Sequence, residues 1–455
     1  MIRHLKLQNF KSWREADLEF GKVTALFGTN SSGKTSLIQF LLLLKQTKEA
    51  TDRTISLDLN GPYVKLGVYE DMVYGHDGNS SLEWDLAFQR EKELTFEDSS
   101  GRYGGTIERS KEFKLVCRVG LRRNTPTAMH LLYWVGDAGF SLAPRTESDW
   151  KFDLTTKETD FSFVRTKGRA WELPGPVKSY AFPDQAKTYY QNAHFLADLE
   201  IAYEKEMDNI FYLGPLRQFP QRDYLWARSR PKDVGTQGER AIDAILAATD
   251  EGEERNLYRK GRYKSFQEMI AYWLQKMGLV EGFRIEEIKK GSNRWQAKVR
   301  TRAGGPEVLL TDVGFGVSQV LPVLTLLQYV PDGSTVILEQ PEIHLHPLAQ
   351  AELADAIVNV ATHPKRCIQV IVESHSEHLL LRLQRRIAEE KIKANDAKLY
   401  FCDIDRKGSS RLIPLKIDLF GNILNWPDKF MGDAFGEASA AEIARLKRMK
   451  ADAAE

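Results

Sequence analysis

The chain has 455 residues, of which 42% are hydrophobic and 28% charged, as in an ordinary soluble globular protein. This length predicts two lobes, or a core with a large insertion. Lys and Arg (64) balance Asp and Glu (63), which excludes a global basic field, so any contact with nucleic acid must come from a local patch.

The expected compartment follows from cysteine usage and hydropathy. Cys117, Cys367 and Cys402 lie far apart in the sequence and are expected to be buried free thiols in a reducing environment. The longest apolar run, residues 40–44, is far shorter than the roughly 20 residues that a membrane span needs. The first residues lack the apolar core and cleavage site of a signal peptide. We therefore expect a cytoplasmic protein without a membrane partner.

The first half of the chain changes from strand-like to helix-like patterns. Alternating apolar residues predict an N-terminal strand, a turn at residues 10–12 and a buried strand at residues 23–27. Short alternating segments between residues 80 and 167 predict antiparallel strands. Helical patterns predict helices at residues 35–46, 186–209, 240–247 and 265–276.

The last third alternates strands with helices, which indicates a parallel sheet. We predict strands at residues 335–338, 367–372 and 397–401. We predict helices at residues 347–362 and 377–390, and a charged helix at residues 438–455. The predicted fold class is α/β, with a P-loop core of mixed sheet made from both chain ends and a mixed β and helical insertion.

The domain boundaries follow from these patterns. The core is expected to comprise residues 1–85 and 305–410. Residues 86–304 form the insertion, from which residues 205–235 return to the core. Residues 411–455 form a C-terminal extension.

The first candidate site is the segment that begins at Gly28 and reads G-x-x-x-x-G-K-T. It lies between a buried strand and a helix, the context that this phosphate-binding motif requires. Its backbone N–H groups and the helix N-terminus would surround phosphates, with Lys34 on the β and γ oxygens and Thr35 on Mg²⁺. The predicted phosphate-binding residues are Gly28, Thr29, Asn30, Ser31, Ser32, Gly33, Lys34, Thr35 and Ser36.

A second apolar strand ends in acidic residues. Glu339 stands where a carboxylate would hold Mg²⁺ through water, and Asp is commoner there. Gln340 occupies the position of the glutamate that usually orients the attacking water, and an amide cannot accept a proton as a carboxylate does. Two interpretations stay open: slow hydrolysis by a nucleotide-gated clamp, or Glu342 as the base. We favour the second.

Histidines follow this acidic strand. His344 and His346 form an H-x-H pair, with His375 and His378 further on. Zinc binding is one interpretation, but H-x-H in an extended turn is a weak ligand pattern. We favour a subunit-contact loop beside the phosphates.

A third segment places Gly314, Gly316, Ser318 and Gln319 before an apolar helix predicted at residues 320–329. Such a turn is an anion site, although an ordinary N-cap turn is the alternative. Two phosphate-binding helix termini in one copy of the chain, or head, cannot hold the same γ-phosphate. We therefore expect this segment, which we name the signature turn, to reach the nucleotide that a partner copy binds. His375, at the tip of the next strand, is expected to sense the γ-phosphate.

These motifs together resemble the ABC-type AAA ATPases related to the OLD, RecF and SMC families. The chain is most similar to a bacterial group that carries a C-terminal domain of unknown function. The resemblance spans most of the chain and rests on residues 2–13, 28–35, 212–217, 312–319, 339–347, 374–376 and 426–430.

The resemblance implies ATP and Mg²⁺ bound between two heads, in a homodimer or higher even-numbered oligomer. The expected catalytic residues are Glu342, Gln340 and His375, and Gln340 departs from the glutamate that most relatives in the wider ABC class carry. The resemblance also implies a role in defence against phage or in DNA maintenance, beside a separately encoded effector. The chain lacks the long heptads of SMC proteins and the length of a TOPRIM nuclease domain, so Asp403 and Asp405 are not expected to form a nuclease site.

Residues 217–232 mix five cations with three aromatic residues. Arg222, Arg228 and Arg230 are candidate nucleic-acid contacts, because cations suit phosphates and rings stack on bases. The alternative, which we favour, is a loop near the ATP site whose arginines pair with carboxylates. Arg217 is expected to be structural or linked to ATP.

Overall fold

The structure, a computed structural model, describes residues 1–97, 105–146, 150–168, 172–258, 261–427 and 443–445. The strands are β1 Ile2–Phe10, β2 Trp13–Glu19, β3 Val23–Gly28, β4 Leu82–Glu97, β5 Thr106–Arg122, β6 Thr125–Val135, β7 Ala138–Pro144, β8 Phe152–Lys157, β9 Ile210–Leu213, β10 Tyr224–Leu225, β11 Glu254–Arg255, β12 Lys264–Ser265, β13 Gly282–Glu287, β14 Arg294–Arg300, β15 Glu307–Leu309, β16 Thr335–Glu339, β17 Gln369–Glu373, β18 Ala397–Ile404 and β19 Ser410–Pro414. The helices are α1 Lys34–Glu49, α2 Tyr69–Met72, α3 Asp184–Tyr189, α4 Leu196–Asp208, α5 Ala241–Asp250, α6 Phe266–Lys276, α7 Phe315–Tyr329, α8 Pro347–Thr362 and α9 Glu377–Ala388.

The central sheet carries the candidate site. Its six strands lie in the order β19-β18-β3-β17-β16-β9. Neighbours from β18 to β9 run parallel, and β19 pairs antiparallel with β18. Val336 and Leu338 pack in one apolar cluster and Ile337 in another, so β16 is covered on both faces. The predicted α/β class with a mixed sheet is confirmed.

A second, antiparallel sheet has seven strands in the order β2-β1-β4-β5-β6-β7-β8. The antiparallel strands predicted between residues 80 and 167 are therefore confirmed. The N-terminal strand β1 pairs with β2 and β4, and so belongs to this sheet and not to the central one. The expected boundaries at residues 85/86 and 410/411 fall inside β4 and β19. The division into domains stays a prediction.

Two helices differ from the expected bounds. The helix predicted at residues 186–209 is two helices, α3 and α4, because Asn192 between them bonds the backbone of Ser162 and Val164. The helix predicted at residues 320–329 begins earlier, since Gly314 is already an extended N-cap. The charged helix predicted at residues 438–455 lies outside the described residues, apart from 443–445.

Two composition-based expectations can also be compared with the structure. Cys117 and Cys402 are buried free thiols, but Cys367 is only half-buried, because it lies in the loop just before β17. Within the described ranges, no helix combines the length and apolar character that a bilayer crossing requires.

Candidate active site

The phosphate loop joins β3 to α1. A Cβ on Gly28 would lie 2.1 Å from the carbonyl oxygen of Cys402, and one on Gly33 would lie 2.5 Å from the Ser410 hydroxyl and 2.7 Å from Nε1 of Trp13. Both glycines also have positive φ, 144° and 90°, which side chains rarely adopt. The glycines are therefore required for the loop to fit against β18 and β19, with the N-terminus of α1 at its end.

Lys34 is buried at this loop. Its ammonium donates to the carbonyl oxygens of Gly28 at 3.0 Å and Thr29 at 2.7 Å. Burial lowers the pKa of Lys34. The buried Ser32 hydroxyl also donates to Thr29, at 2.8 Å, whereas Thr29, Asn30 and Ser31 are exposed. The ammonium is thus held inside a loop whose outer residues face solvent.

Two carboxylates end adjacent parallel strands. Glu339 on β16 and Glu373 on β17 are opposite each other in register and are 5% and 2% exposed. The Thr35 hydroxyl donates to Glu373, 3.0 Å from each carboxylate oxygen. The Tyr212 hydroxyl donates to Oε1 of Glu339 at 2.9 Å. The carboxylate in contact with Thr35 is therefore Glu373, which sequence reasoning did not single out.

This pair fits a divalent cation. Burial raises the pKa of Glu339 to about 7, helped by the charge of Glu373, and burial also raises the pKa of Glu373. A cation between two buried carboxylates would relieve their repulsion. Carboxylate and hydroxyl oxygens are the hard ligands that Mg²⁺ prefers. Thr35, Glu339 and Glu373 together are a suitable donor set for Mg²⁺ beside the phosphate loop.

The predicted catalytic residues meet at the same strand ends. Oε1 of the buried Glu342 accepts the backbone N–H of His375 at 2.7 Å, and burial raises the pKa of Glu342. Gln340 has a φ of 43°, and its N–H donates to the carbonyl of Glu373 at 2.9 Å. His375 is an exposed residue, but its imidazole is partly covered by the protein. This partial burial, and then the charge of Lys34, lower its pKa. Gln340, Glu342 and His375 are thus neighbours.

The loop after β9 brings Arg217 to this edge. The side chain is 8% exposed, and its Nη2 donates to the carbonyl oxygen of Glu339 at 3.3 Å. Burial lowers the pKa of Arg217 to about 10, so the group stays cationic at neutral pH.

The signature turn lies beside the loops that follow β9 and β16. Ser318 is buried in the first turn of α7 and donates to the carbonyl of Phe315 at 2.9 Å, and Gln319 is buried beside it. Phe315 is 60% exposed, with ring centroids 5.9 Å from Phe219 and 6.3 Å from His344. Among the residues that the structure describes, the side-chain hydrogen bonds and ring contacts of the turn stop at these groups. They do not join Gly314, Gly316, Ser318 or Gln319 to the phosphate loop.

The histidines after β16 have separate surroundings. Nδ1 of His346 accepts the N–H of Leu348 at 3.5 Å and caps α8, and His344 has a φ of 63°. In the described parts of the chain, no group of three or more His, Cys, Asp or Glu residues is placed to hold a metal ion.

The basic loop forms contacts with the protein itself. Arg222 pairs with Asp312 at 3.0 Å, and Arg228 donates to the amide oxygen of Asn293 at 3.4 Å. Arg230 pairs with Glu251 and Glu253. The pairs that Arg222 and Arg230 form with carboxylates are those expected if the segment is a loop whose arginines pair within the protein. Contact with nucleic acid stays a prediction.

Two solved structures are distantly similar to the chain. An SMC head domain from Thermotoga maritima has 12% identity and a TM-score of 0.42, with 91% of this chain and 99% of that chain covered. An Smc head domain with an extended coiled coil, bound to the C-terminal domain of ScpA and derived from Pyrococcus furiosus, has 11% identity and a TM-score of 0.45. The match covers 91% of this chain and 96% of the Smc head domain chain. Such low similarity supports no argument about function.

Family models match the chain more directly, although no curated protein matches it. An "AAA ATPase domain" matches residues 1–211, and a "Protein of unknown function (DUF3696)" matches residues 392–440, which confirms the expected C-terminal domain. A third model matches residues 139–382, more than half of the chain. The chain therefore belongs to the AAA ATPase family described as "AAA domain, putative AbiEii toxin, Type IV TA system".

Proposed function

We propose that this protein binds ATP with Mg²⁺ at the carboxyl ends of the central strands, between two copies of the head, and hydrolyses the ATP. The observation that carries the proposal is the convergence of Lys34, Thr35, Glu373, Glu339 and Glu342 at one sheet edge. Ligands of open α/β sheets bind at this edge. ATP hydrolysis fits the family to which the chain belongs.

Each residue has a distinct task in this proposal. Lys34 and the N-terminus of α1 bind the phosphates, because both present positive charge to them. Thr35, Glu339 and Glu373 hold Mg²⁺. The bound cation neutralises charge that develops on the β- and γ-phosphate oxygens.

Glu342 is the general base of the proposal. Its carboxylate is held in place by the N–H of His375, and a carboxylate can accept a proton from the attacking water. Gln340, next to Glu339, can only orient that water. His375 is the candidate sensor of the γ-phosphate, because it follows the end of β17 and its backbone N–H bonds Glu342.

A second candidate function is an ATP-gated scaffold that hydrolyses slowly and restrains or recruits an effector. The observation that favours it is Gln340, an amide that cannot accept a proton at the position where this class usually has a glutamate. Turnover measurements on the variants below separate the two candidates.

The partner head completes the site in this proposal. The N-terminus of α7 begins after the exposed Gly314 and carries Gly316, Ser318 and Gln319, and the described side-chain contacts of this turn do not reach the phosphate loop of the same chain. A helix N-terminus attracts anions. A two-fold dimer would bring it to the γ-phosphate of the partner.

We also propose that the protein acts in defence against phage. The matched family is described by a toxin and a toxin–antitoxin system, which supports a role in defence beside a separately encoded effector.

Replacing Lys34 by Ala is expected to weaken ATP binding roughly 100-fold, because a charge-assisted contact with phosphate is lost. Isothermal titration of the full chain measures this. The matched control is Lys22→Ala, which removes a partly exposed lysine that pairs with Asp396 just before β3, away from the phosphate loop at the end of this strand. Equal affinity in the Lys34 variant and the wild type would contradict the proposed site.

Replacing Glu342 by Gln is expected to lower kcat by about 100-fold or more while ATP still binds. Gln340→Glu should leave kcat unchanged or raise it. Since burial raises the pKa of Glu342 and a base must be ionised, kcat should rise with pH through a value above the ordinary Glu pKa. Phosphate release across pH measures this. Wild-type turnover at background, with ATP retained, would favour the scaffold instead.

Mixing two inactive variants tests the shared site. Lys34→Ala and Ser318→Arg should each be inactive alone. A mixed dimer holds one intact composite site, so the mixture should regain up to about a quarter of wild-type turnover. No recovery from two folded variants that exchange subunits would exclude a site shared across the dimer.

The neighbouring gene is expected to encode an effector such as a nuclease or toxin. Its product should copurify with the full chain, and Lys34→Ala should change the amount retained. A neighbouring product that fails to bind with or without ATP would argue against the sensor–effector pairing.

A further inference from the structure

Arg217 is a buried cation whose donors are largely unused. Its Nε and Nη1 atoms are buried without a hydrogen-bond partner among the described residues, although the side chain is only 8% exposed. Nη2 makes one long contact, 3.3 Å, to the carbonyl oxygen of Glu339. Buried charged donors are almost always satisfied, because leaving them unpaired is costly. Two donors of this side chain are therefore unsatisfied in the protein alone, and a ligand with acceptor oxygens would satisfy them.

Ordinary ion pairing does not account for this arginine. Among the described residues, no carboxylate bonds Arg217. The Tyr212 hydroxyl and the His375 N–H bond Oε1 of Glu339 and Oε1 of Glu342, and Oε2 of Glu342 is itself buried without a partner. Arg217 contacts the backbone of Glu339 and not its carboxylate. Its charge is thus not consumed by a salt bridge.

The loop holds Arg217 in a fixed place. The N–H of Gly214 donates to the carbonyl of Thr236 at 2.8 Å, and the N–H of Gln218 donates to the carbonyl of Gln237 at 2.9 Å. These bonds anchor the backbone on both sides of the arginine. Because this backbone is already ordered, ligand binding by Arg217 does not have to pay the entropy of ordering the loop.

Arg217 also lies at the phosphate edge. It follows β9, which pairs in parallel with β16, so its loop leaves the sheet on the same side as the loop that carries Lys34. Nη2 of Arg217 donates to the carbonyl of Glu339, the last residue of β16, and β17 alone separates β16 from β3, which leads into the Lys34 loop. The two cations therefore lie at the same edge of the sheet.

We propose that Arg217 binds the terminal phosphate of ATP and makes the head prefer ATP over ADP. This inference rests on the proposed function and adds a nucleotide-binding residue from the middle of the chain. The guanidinium donates N–H groups to the γ-phosphate oxygens, which are absent from ADP. Arg is well suited to this task because it keeps its charge and offers five donors.

The test compares affinities of the full chain for the β,γ-imido analogue of ATP and for ADP, both with Mg²⁺. Arg217→Ala should weaken the ATP analogue about 10- to 100-fold and change ADP affinity by no more than about twofold. Added guanidinium ion, below the concentration that unfolds the wild type, should restore part of the preference. Arg217→Gln, which keeps a polar amide, should show the same loss if the alanine variant fails to fold.

The control is Arg294→Ala, which removes an exposed arginine paired with Asp223 and should leave both affinities unchanged. Equal weakening of both nucleotides, or an unchanged preference for ATP, would overturn the inference. The Lys34→Ala variant distinguishes a failure of the proposed function from a failure of the inference about Arg217. If it abolishes nucleotide binding while the Arg217 variants keep the wild-type preference, the proposed function stands and the role of Arg217 falls.

Discussion

The register between β16 and β17 is the constraint on which the candidate site depends. It sets Glu339 and Glu373 side by side in a dry environment, where two negative charges repel strongly. Such a pair is stable in its ionised form only beside positive charge. The Thr35 hydroxyl bonds one carboxylate and the Tyr212 hydroxyl the other, so the orientation of both is fixed before any ligand arrives.

The parallel sheet explains why distant segments meet. The loops after β3, β9, β16 and β17 all leave the same edge, because parallel strands end on one side. Residues near positions 34, 217, 340 and 374 are thereby gathered without any local sequence relation. In the proposed function a single head is incomplete, because the signature turn on α7 binds the nucleotide of the partner.

The sequence patterns correctly predicted those elements whose conformation depends on residues close together in the chain. The G-x-x-x-x-G-K-T segment and the apolar strands carry their signal within a few residues, and the loop, β3, β16 and β17 agree with it. Glu373 was missed because its role depends on which strand lies next to β16. A charge that ends a buried strand, as in both Glu339 and Glu373, was the available signal. The break at Asn192 and the pairing of Arg230 with Glu251 depend on tertiary contacts that the sequence does not reveal.

Gly33 lies at a junction of three parts of the molecule. Its carbonyl accepts the indole N–H of Trp13 from the antiparallel sheet, and its Cα faces the hydroxyl of Ser410 on β19, within the C-terminal family of unknown function. The space between Gly33 and these two side chains is too small for even one added carbon atom. In the proposed function, a shift of this loop on binding or releasing a phosphate would therefore displace Trp13 and Ser410, and so couple the nucleotide state to the antiparallel sheet and the C-terminal region.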